Sequence, residues 1–118
     1  GKLNMVPKEE FLFHWEDDFL PLIDRVDGQG LSNVLWSFGR FRIMPSGRFL
    51  RAWMETFEKS VSRYMGQECA NILWAWNRLD IFPGEAALEK WYSQYKLAWQ
   101  NRNRYPFYPV SPFSLRRF

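Results

Sequence analysis

Apolar residues recur along the chain at helical spacing, in two alternating kinds of segment. Residues 29–41 and 67–79 are the shorter kind, in which apolar positions three and four apart fill one face. Residues 7–26, 45–64 and 83–100 are the longer kind, and each opens with a proline, where a helix has no use for the missing N–H. The pattern predicts five helices of two alternating types in an antiparallel stack.

Sliding the sequence against itself by 38 positions shows that these segments form a repeat. Between residues 28–57 and 66–95, ten of thirty aligned pairs are identical. They are Gly28/Gly66, Gln29/Gln67, Asn33/Asn71, Leu35/Leu73, Trp36/Trp74, Arg40/Arg78, Ile43/Ile81, Pro45/Pro83, Leu50/Leu88 and Trp53/Trp91. Upstream, Trp15 continues the register, so the chain starts partway through a unit. We therefore expect an all-α fold, a short α-solenoid of about two and a half helix-turn-helix repeats.

The predicted boundaries follow the repeat. The helical-repeat array covers residues 1–101, with units at about 1–26, 27–64 and 65–101, and residues 102–118 form an extended tail. At the first junction, Asp27 is expected to cap the next helix, and Gly28 to end the previous helix in the left-handed conformation.

The shorter segments carry large side chains on two opposite faces, which predicts packing between two neighbours. Opposite the main apolar stripe lie Asn33, Trp36 and Arg40 in one segment and Asn71, Trp74 and Arg78 in the other. We interpret these two tryptophans, with Trp53 and Trp91, as structural repeat core; stacking of Trp36 and Trp74 on bases is the alternative. The two arginines suit both a position at a helix C-terminus and contact with phosphates.

The first longer segment differs from its copies by a second apolar surface. Phe13 and Leu20 lie off its main stripe, and the equivalent residues in the next unit are Arg51 and Glu58. An apolar patch of this kind usually marks an interface. We expect contact either with a missing preceding repeat or with a neighbouring protein of a large assembly.

Composition limits the class of protein. With 47% hydrophobic and 25% charged residues, the chain has an ordinary globular balance. The single cysteine, Cys69, excludes an intramolecular disulfide and fits a reducing compartment. No run of eighteen apolar residues and no secretory signal are present, so we expect no membrane insertion. Removal of an organellar transit peptide and origin from a longer chain both fit the start within a repeat.

Catalytic and metal-binding patterns are weak. The only histidine, His14, has no nucleophile or acid arranged with it in sequence, and one Cys with one His cannot build a zinc site. Asp17 and Asp18 are adjacent, so on a helix they point about 100° apart. No Gly-rich phosphate loop occurs. We expect a protein that is not an enzyme and that uses no cofactor, metal or small-molecule substrate.

Charge separates the two ends of the chain. Residues 1–28 carry three basic and seven acidic groups, whereas residues 90–118 carry six basic groups and no acid. Prolines at three-residue spacing exclude a regular helix in the tail, and its aromatic residues suit stacking on bases. The tail is interpreted as an RNA-binding segment; the alternative is a cap on the end of the helical array. The predicted RNA-binding residues are Arg40, Arg78, Lys90, Lys96, Arg102, Arg104, Tyr105, Arg116 and Arg117.

The repeat resembles the octotricopeptide repeat, a 38-residue helical repeat that is also similar to repeats found beside RAP domains in organellar proteins. The shared pattern is Q-x-x-x-N-x-L-W followed by a proline-started helix with L-x-x-W. It is carried by Gln29, Asn33, Leu35, Trp36, Pro45, Leu50 and Trp53, and by Gln67, Asn71, Leu73, Trp74, Pro83, Leu88 and Trp91. Ser37-Phe38 and Ala75-Trp76 depart from the family's usual residues after LW.

The resemblance implies binding of organellar RNA. We expect a non-catalytic subunit of an organellar ribonucleoprotein, such as a structural subunit of a mitochondrial ribosome that binds rRNA. The alternative function is a protein–protein scaffold subunit of a large organellar membrane or enzyme complex without RNA contact. The expected location is the mitochondrion, with the chloroplast or another plastid as the alternative.

Overall fold

The structure is a computed structural model that describes residues 8–100, with side chains from residue 10 onward. Its helices are α1 (Lys8–Phe19), α2 (Gly28–Phe41), α3 (Gly47–Ser60), α4 (Gly66–Arg78) and α5 (Glu85–Gln100). Two short 3₁₀ segments, Leu20–Arg25 and Val61–Arg63, follow α1 and α3. This part of the chain is all-helical and its five helices pack together, as predicted. Pro7 and residues 102–118 lie outside the described residues, so what the sequence indicates for them stays a prediction.

The 38-residue period of the sequence reappears in hydrogen bonds between helices. The indole Nε1 of Trp53 donates to the backbone oxygen of Leu31 at 3.0 Å. In the next unit, Nε1 of Trp91 donates to the backbone oxygen of Cys69 at 2.7 Å. Both tryptophans are almost completely buried. Each bond therefore fixes a longer helix against the shorter helix of its own unit, twice in the same way.

Stacked aromatic pairs repeat with the same period, and they occur in all three longer helices. The rings of Trp53 and Phe57 are tilted by 10°, and those of Trp91 and Tyr95 by 5°. Trp15 stacks on the ring of Phe19 at 9°. The four-residue spacing places each pair on one face of its helix.

The shorter helices α2 and α4 lie side by side and run in the same direction. Near their starts, Gly28 approaches Glu68, and near their ends Gly39 approaches Ala75. A Cβ at Gly39 would lie 3.4 Å from the Cα of Ala75, so the two backbones are in close contact there. The small residues at these positions allow the α2–α4 interface to be the most extensive in the described fold.

The longer helices begin later than the prolines predict. Helix α3 begins at Gly47, because Ser46 is its N-cap and the Ser46 hydroxyl accepts from the backbone N–H of Phe49 at 3.2 Å. Helix α5 begins at Glu85, after Gly84 with φ +96°. Pro45 and Pro83 therefore precede their helices, and the prediction that they occupy the first helical position is wrong.

The junction before α2 confirms one prediction and corrects another. The Asp27 carboxylate accepts from the N–H of Gly30 at 2.8 Å, as expected of a cap. Gly28 is not left-handed, because it is the first residue of α2 and the preceding 3₁₀ segment ends at an extended Val26. A Cβ at Gly28 would lie 2.7 Å from the Tyr64 ring, so close packing explains this glycine.

Candidate nucleic-acid interface

The paired helices α2 and α4 bring the two copies of the Asn-x-x-Trp-x-x-x-Arg pattern onto one surface. The ring centroids of Trp36 and Trp74 are 5.7 Å apart, with the rings tilted by 32°. Both side chains are half-buried, in contrast to the fully buried Trp53. These two rings therefore contact one another across the repeats and still present surface to solvent.

The arginines of the pattern lie at the same end of this surface. The guanidinium carbon of Arg78 is 5.7 Å from the centroid of the Trp74 ring, within the range of a cation–π interaction. Arg40 occupies the equivalent position of α2, four residues after Trp36, and the preceding Gly39 approaches Arg78, with 3.5 Å from a Cβ at Gly39 to the Arg78 Cβ. Both arginines are exposed and lie in the last turns of α2 and α4, where the helix dipole favours a cation.

The helix ends do not need these guanidinium groups as caps. At the end of α2, the N–H of Arg42 donates to the oxygen of Gly39 and the N–H of Ile43 to that of Phe38. Arg42 takes the left-handed conformation with φ 56°, and the equivalent Asp80 has the same φ. Within residues 8–100, the ion pairs leave Arg40 and Arg78 unused. Their charges are therefore available to an anion.

The amides of the pattern are arranged differently in the two copies. Asn71 accepts from the Nε2 of Gln67 at 3.0 Å, one helical turn earlier. Asn33 and Gln29, at the equivalent positions of α2, are exposed. The surface thus offers exposed amides beside Trp36 and a preorganised amide pair beside Trp74.

Lys90 and Lys96 lie away from the α2–α4 surface. The Nζ of Lys90 is 3.2 Å from the Oε1 of Glu58 on α3. The Nζ of Lys96 lies 4.8 Å from the centroid of the Tyr92 ring, on α5 itself. Their side-chain contacts are with α3 and α5, so the structure does not join these two predicted RNA-binding residues to Arg40 and Arg78. Arg102, Arg104, Tyr105, Arg116 and Arg117 lie outside the described residues.

The apolar patch at Phe13 and Leu20 is partly covered by the chain's own residues. The guanidinium carbon of Arg48 lies 4.2 Å from the centroid of the Phe13 ring, and its Nη2 donates to the Phe13 backbone oxygen at 2.8 Å. Phe13 remains 54% exposed. Leu20 packs against the core at the start of the first 3₁₀ segment.

A buried carboxylate joins α1 to the start of α3, which the repeat pattern did not reveal. Glu16 is fully buried and accepts from the Nε of Arg48 at 3.0 Å and from the backbone N–H of Ser46 at 3.2 Å. Arg48 also reaches Asp17 at 2.8 Å, and hydrogen bonds to Asp17 and Glu16 raise the pKa of its guanidinium. These hydrogen bonds and ion pairs account for the buried charge of Glu16 in an otherwise apolar contact, and all of them join residues of the chain itself.

A cleft of about 880 Å³ opens on the side of the 3₁₀ segments, between α3, α5 and the starts of α2 and α4. Its wall mixes acids and bases, among them Asp24, Asp27, Lys59, Arg63 and Glu68. Burial raises the pKa of Glu68, although its bond from the Met65 N–H acts in the opposite direction. Within the described residues no group of three or more metal-ligating side chains gathers, and no helix is long and apolar enough to cross a bilayer.

Comparison with protein-family models, with curated proteins and with solved structures finds no match to this chain.

Proposed function

We propose that this protein is a non-catalytic RNA-binding helical-repeat subunit of an organellar ribonucleoprotein, and that its ligand is the rRNA of a mitochondrial ribosome. The observation that carries the proposal is the α2–α4 surface, where two tryptophans contact each other and each helix carries an exposed arginine in its last turn. The equivalent packing of successive units supports a short α-solenoid. The organellar assignment rests on the resemblance to the octotricopeptide repeat.

The surface combines the two interactions that hold single-stranded RNA. Arginine side chains attract phosphates, and aromatic rings stack on unpaired bases without regard to sequence. Arg40 and Arg78 supply the charge, and the exposed parts of Trp36 and Trp74 supply the rings. The basic tail, with Arg102, Arg104, Tyr105, Arg116 and Arg117, and Lys90 and Lys96 on α5 extend the positive charge available to the RNA.

Equilibrium binding of the full chain to a single-stranded RNA at several salt concentrations tests the surface. Replacing Arg40 and Arg78 together by alanine should weaken binding and make the salt slope shallower by about 1.4, since each phosphate contact contributes about 0.7. The matched control replaces Arg51 and Lys59, two exposed basic residues on α3, by alanine. If both double variants lose the same affinity and slope, net charge and not this surface binds the RNA.

The tail is tested by deleting residues 102–118. An RNA-binding tail predicts weaker binding and a shallower salt slope while the helices stay folded. A tail that caps the helical array predicts a lower melting temperature with an unchanged salt slope. Crosslinking in mitochondrial and in plastid extracts, followed by sequencing of the recovered RNA, tests the proposed location and ligand, and recovery of fragments from one rRNA region is the expected result.

A protein–protein scaffold without RNA contact is the second candidate function, favoured by exposed apolar side chains. Phe41 at the end of α2 is 69% exposed, and Phe82 before α5 is 59% exposed. Crosslinking that recovers proteins and no RNA would favour the scaffold.

A further inference from the structure

An open apolar groove lies between α1 and α2, on the side of the fold that faces away from α4. It has a volume of about 300 Å³ and is lined by Ser37 and by apolar side chains, among them Phe11, Leu12, Trp15, Val34, Phe38 and Phe41. Phe11 is 62% exposed, although it belongs to the apolar stripe of α1. Large aromatic side chains of a stripe are normally buried against a neighbour.

The next unit shows what fills the equivalent space. The residues 38 positions after Phe11, Ser37 and Phe38 are Phe49, Ala75 and Trp76, and all three are fully buried.

Helix α2 covers Phe49 and Ala75, because it packs against both α3 and α4. The ring centroid of its Phe38 is 5.2 Å from that of Phe49, and its Gly39 approaches Ala75. Within residues 8–100, no helix takes the corresponding place between α1 and α2.

Trp15 occupies the position whose equivalents donate hydrogen bonds to the shorter helices. Trp53 and Trp91, its equivalents, each donate their indole N–H to a backbone oxygen of the shorter helix, at 3.0 and 2.7 Å. Trp15 keeps the stacked partner of the series, Phe19. Its Nε1, however, donates no hydrogen bond to any described residue. The Trp15 N–H therefore lacks the partner that Trp53 and Trp91 both have, and the groove lacks the helix that fills its equivalent in the next unit.

We propose that the groove between α1 and α2 binds an amphipathic helix of another protein, seated as α2 is seated between α3 and α4. The bound helix presents large aliphatic or aromatic residues at spacings of four and three, like Leu31, Leu35 and Phe38. A small residue, like Gly39, follows them and meets Ser37. A backbone oxygen of the helix accepts the N–H of Trp15.

Helix α2 of a second folded copy of this chain cannot be the bound helix. Leu31 and Leu35 are fully buried in their own fold, so α2 cannot offer its apolar face to a neighbour without unfolding. Binding of a helix in the groove is independent of RNA binding, because the groove and the α2–α4 surface are formed by different residues.

The probe is a peptide of residues 27–43, held helical by a lactam bridge on its polar face because short isolated helices are marginal in water. We expect saturable binding to the full chain, with slower hydrogen exchange of the Trp15 indole N–H in NMR spectra. Replacing Ser37 by tryptophan should block the closest approach and weaken binding at least ~10-fold. Trp15→Phe keeps the ring and removes the donor, so affinity should fall about 2- to 13-fold.

Two controls separate the groove from general apolar binding. Leu22→Ser removes an exposed leucine outside the groove and should leave the affinity unchanged. A peptide with Leu35→Asp should not bind. The proposal is overturned by absence of peptide binding, or by binding that Ser37→Trp does not affect. It is also overturned if the Trp15 N–H already exchanges slowly in the full chain without peptide, or if Ser37→Trp abolishes self-association, since the chain itself would then fill the groove.

Discussion

The two sets of repeated tryptophans should respond very differently to truncation. Trp53 is fully buried, stacks on Phe57, contacts the edge of Trp76 and donates to the oxygen of Leu31. Removing such a side chain costs about 3–5 kcal/mol. A domain of this size has a total stability of roughly 5–14 kcal/mol, so Trp53→Ala should lose a large fraction of it.

Trp36→Ala should cost less. The ring is half-buried, and among the described residues its one ring–ring contact is with Trp74. Half of the value for burying a large apolar side chain, plus the ring contact, gives about 1–3 kcal/mol. The variant should therefore stay folded, which allows its RNA affinity to be measured.

Urea unfolding followed by far-UV circular dichroism measures both costs, and Trp53→Phe provides a control. That variant keeps an aromatic ring and loses the N–H, so it should lie between the alanine variant and the parent. On the same samples, Trp36→Ala should reduce RNA affinity by about 1–3 kcal/mol if a base stacks there. Equal stability losses for Trp36→Ala and Trp53→Ala would refute the distinction between core and surface rings.

Three further changes test the packing that supports the site. Gly39→Leu places a side chain against Ala75 and should lower stability by about 1–3 kcal/mol in thermal melts, while weakening RNA binding because α2 and α4 separate. Glu16→Gln keeps the shape but removes the charge facing Arg48, and should cost about 1–3 kcal/mol in urea titrations at both low and high salt. Burial raises the pKa of Tyr64 from 10.0 to about 12, so the free energy of unfolding should fall between pH 10 and 12, by less in Tyr64→Phe.

The sign of the alkaline effect follows from which state ionises first. Below pH 10 the phenol of Tyr64 is neutral in both the folded and the unfolded chain. As the pH rises from 10 to 12, the unfolded chain releases the proton and the folded chain does not, which favours unfolding by up to about 2–3 kcal/mol. Burial also raises the pKa of the Cys69 thiol to about 12. Ionisation of this thiol in the unfolded chain therefore lowers the free energy of unfolding further, in addition to the effect of Tyr64. An unfolding free energy that stays constant over this range would contradict the burial of both groups.

The repeat pattern predicts the parts of the fold that occur twice. The 38-residue spacing correctly pairs Trp53 with Trp91, because equivalent residues meet equivalent surroundings when the units pack alike. It also places Arg40 and Arg78 at the same end of neighbouring helices. These statements need only the period and the direction in which side chains point from a helix.

The parts that occur once could not be predicted in this way. Glu16 accepts from Ser46 and Arg48, 30 and 32 residues later, and the residues at the equivalent positions of Glu16 and Arg48 in the next unit are Met54 and Ala86. Self-comparison therefore gives no signal for the cluster. Charge counting likewise assigns Lys90 to RNA, although its partner Glu58 becomes apparent only when α3 and α5 are placed together.

The candidate surface is a consequence of how closely α2 and α4 approach. Gly39 and Ala75 bring the two backbones together, so the rings of Trp36 and Trp74 meet at the surface, where neither can be fully enclosed. Trp53 and Trp91 are also tryptophans that repeat with the same period, but they point into the space between a longer and a shorter helix and are buried there. The position on the helix therefore decides which tryptophans are buried in the core and which remain partly exposed at the surface. A ligand that stacks on the second pair would also bridge two repeats, so binding and repeat packing should stabilise each other.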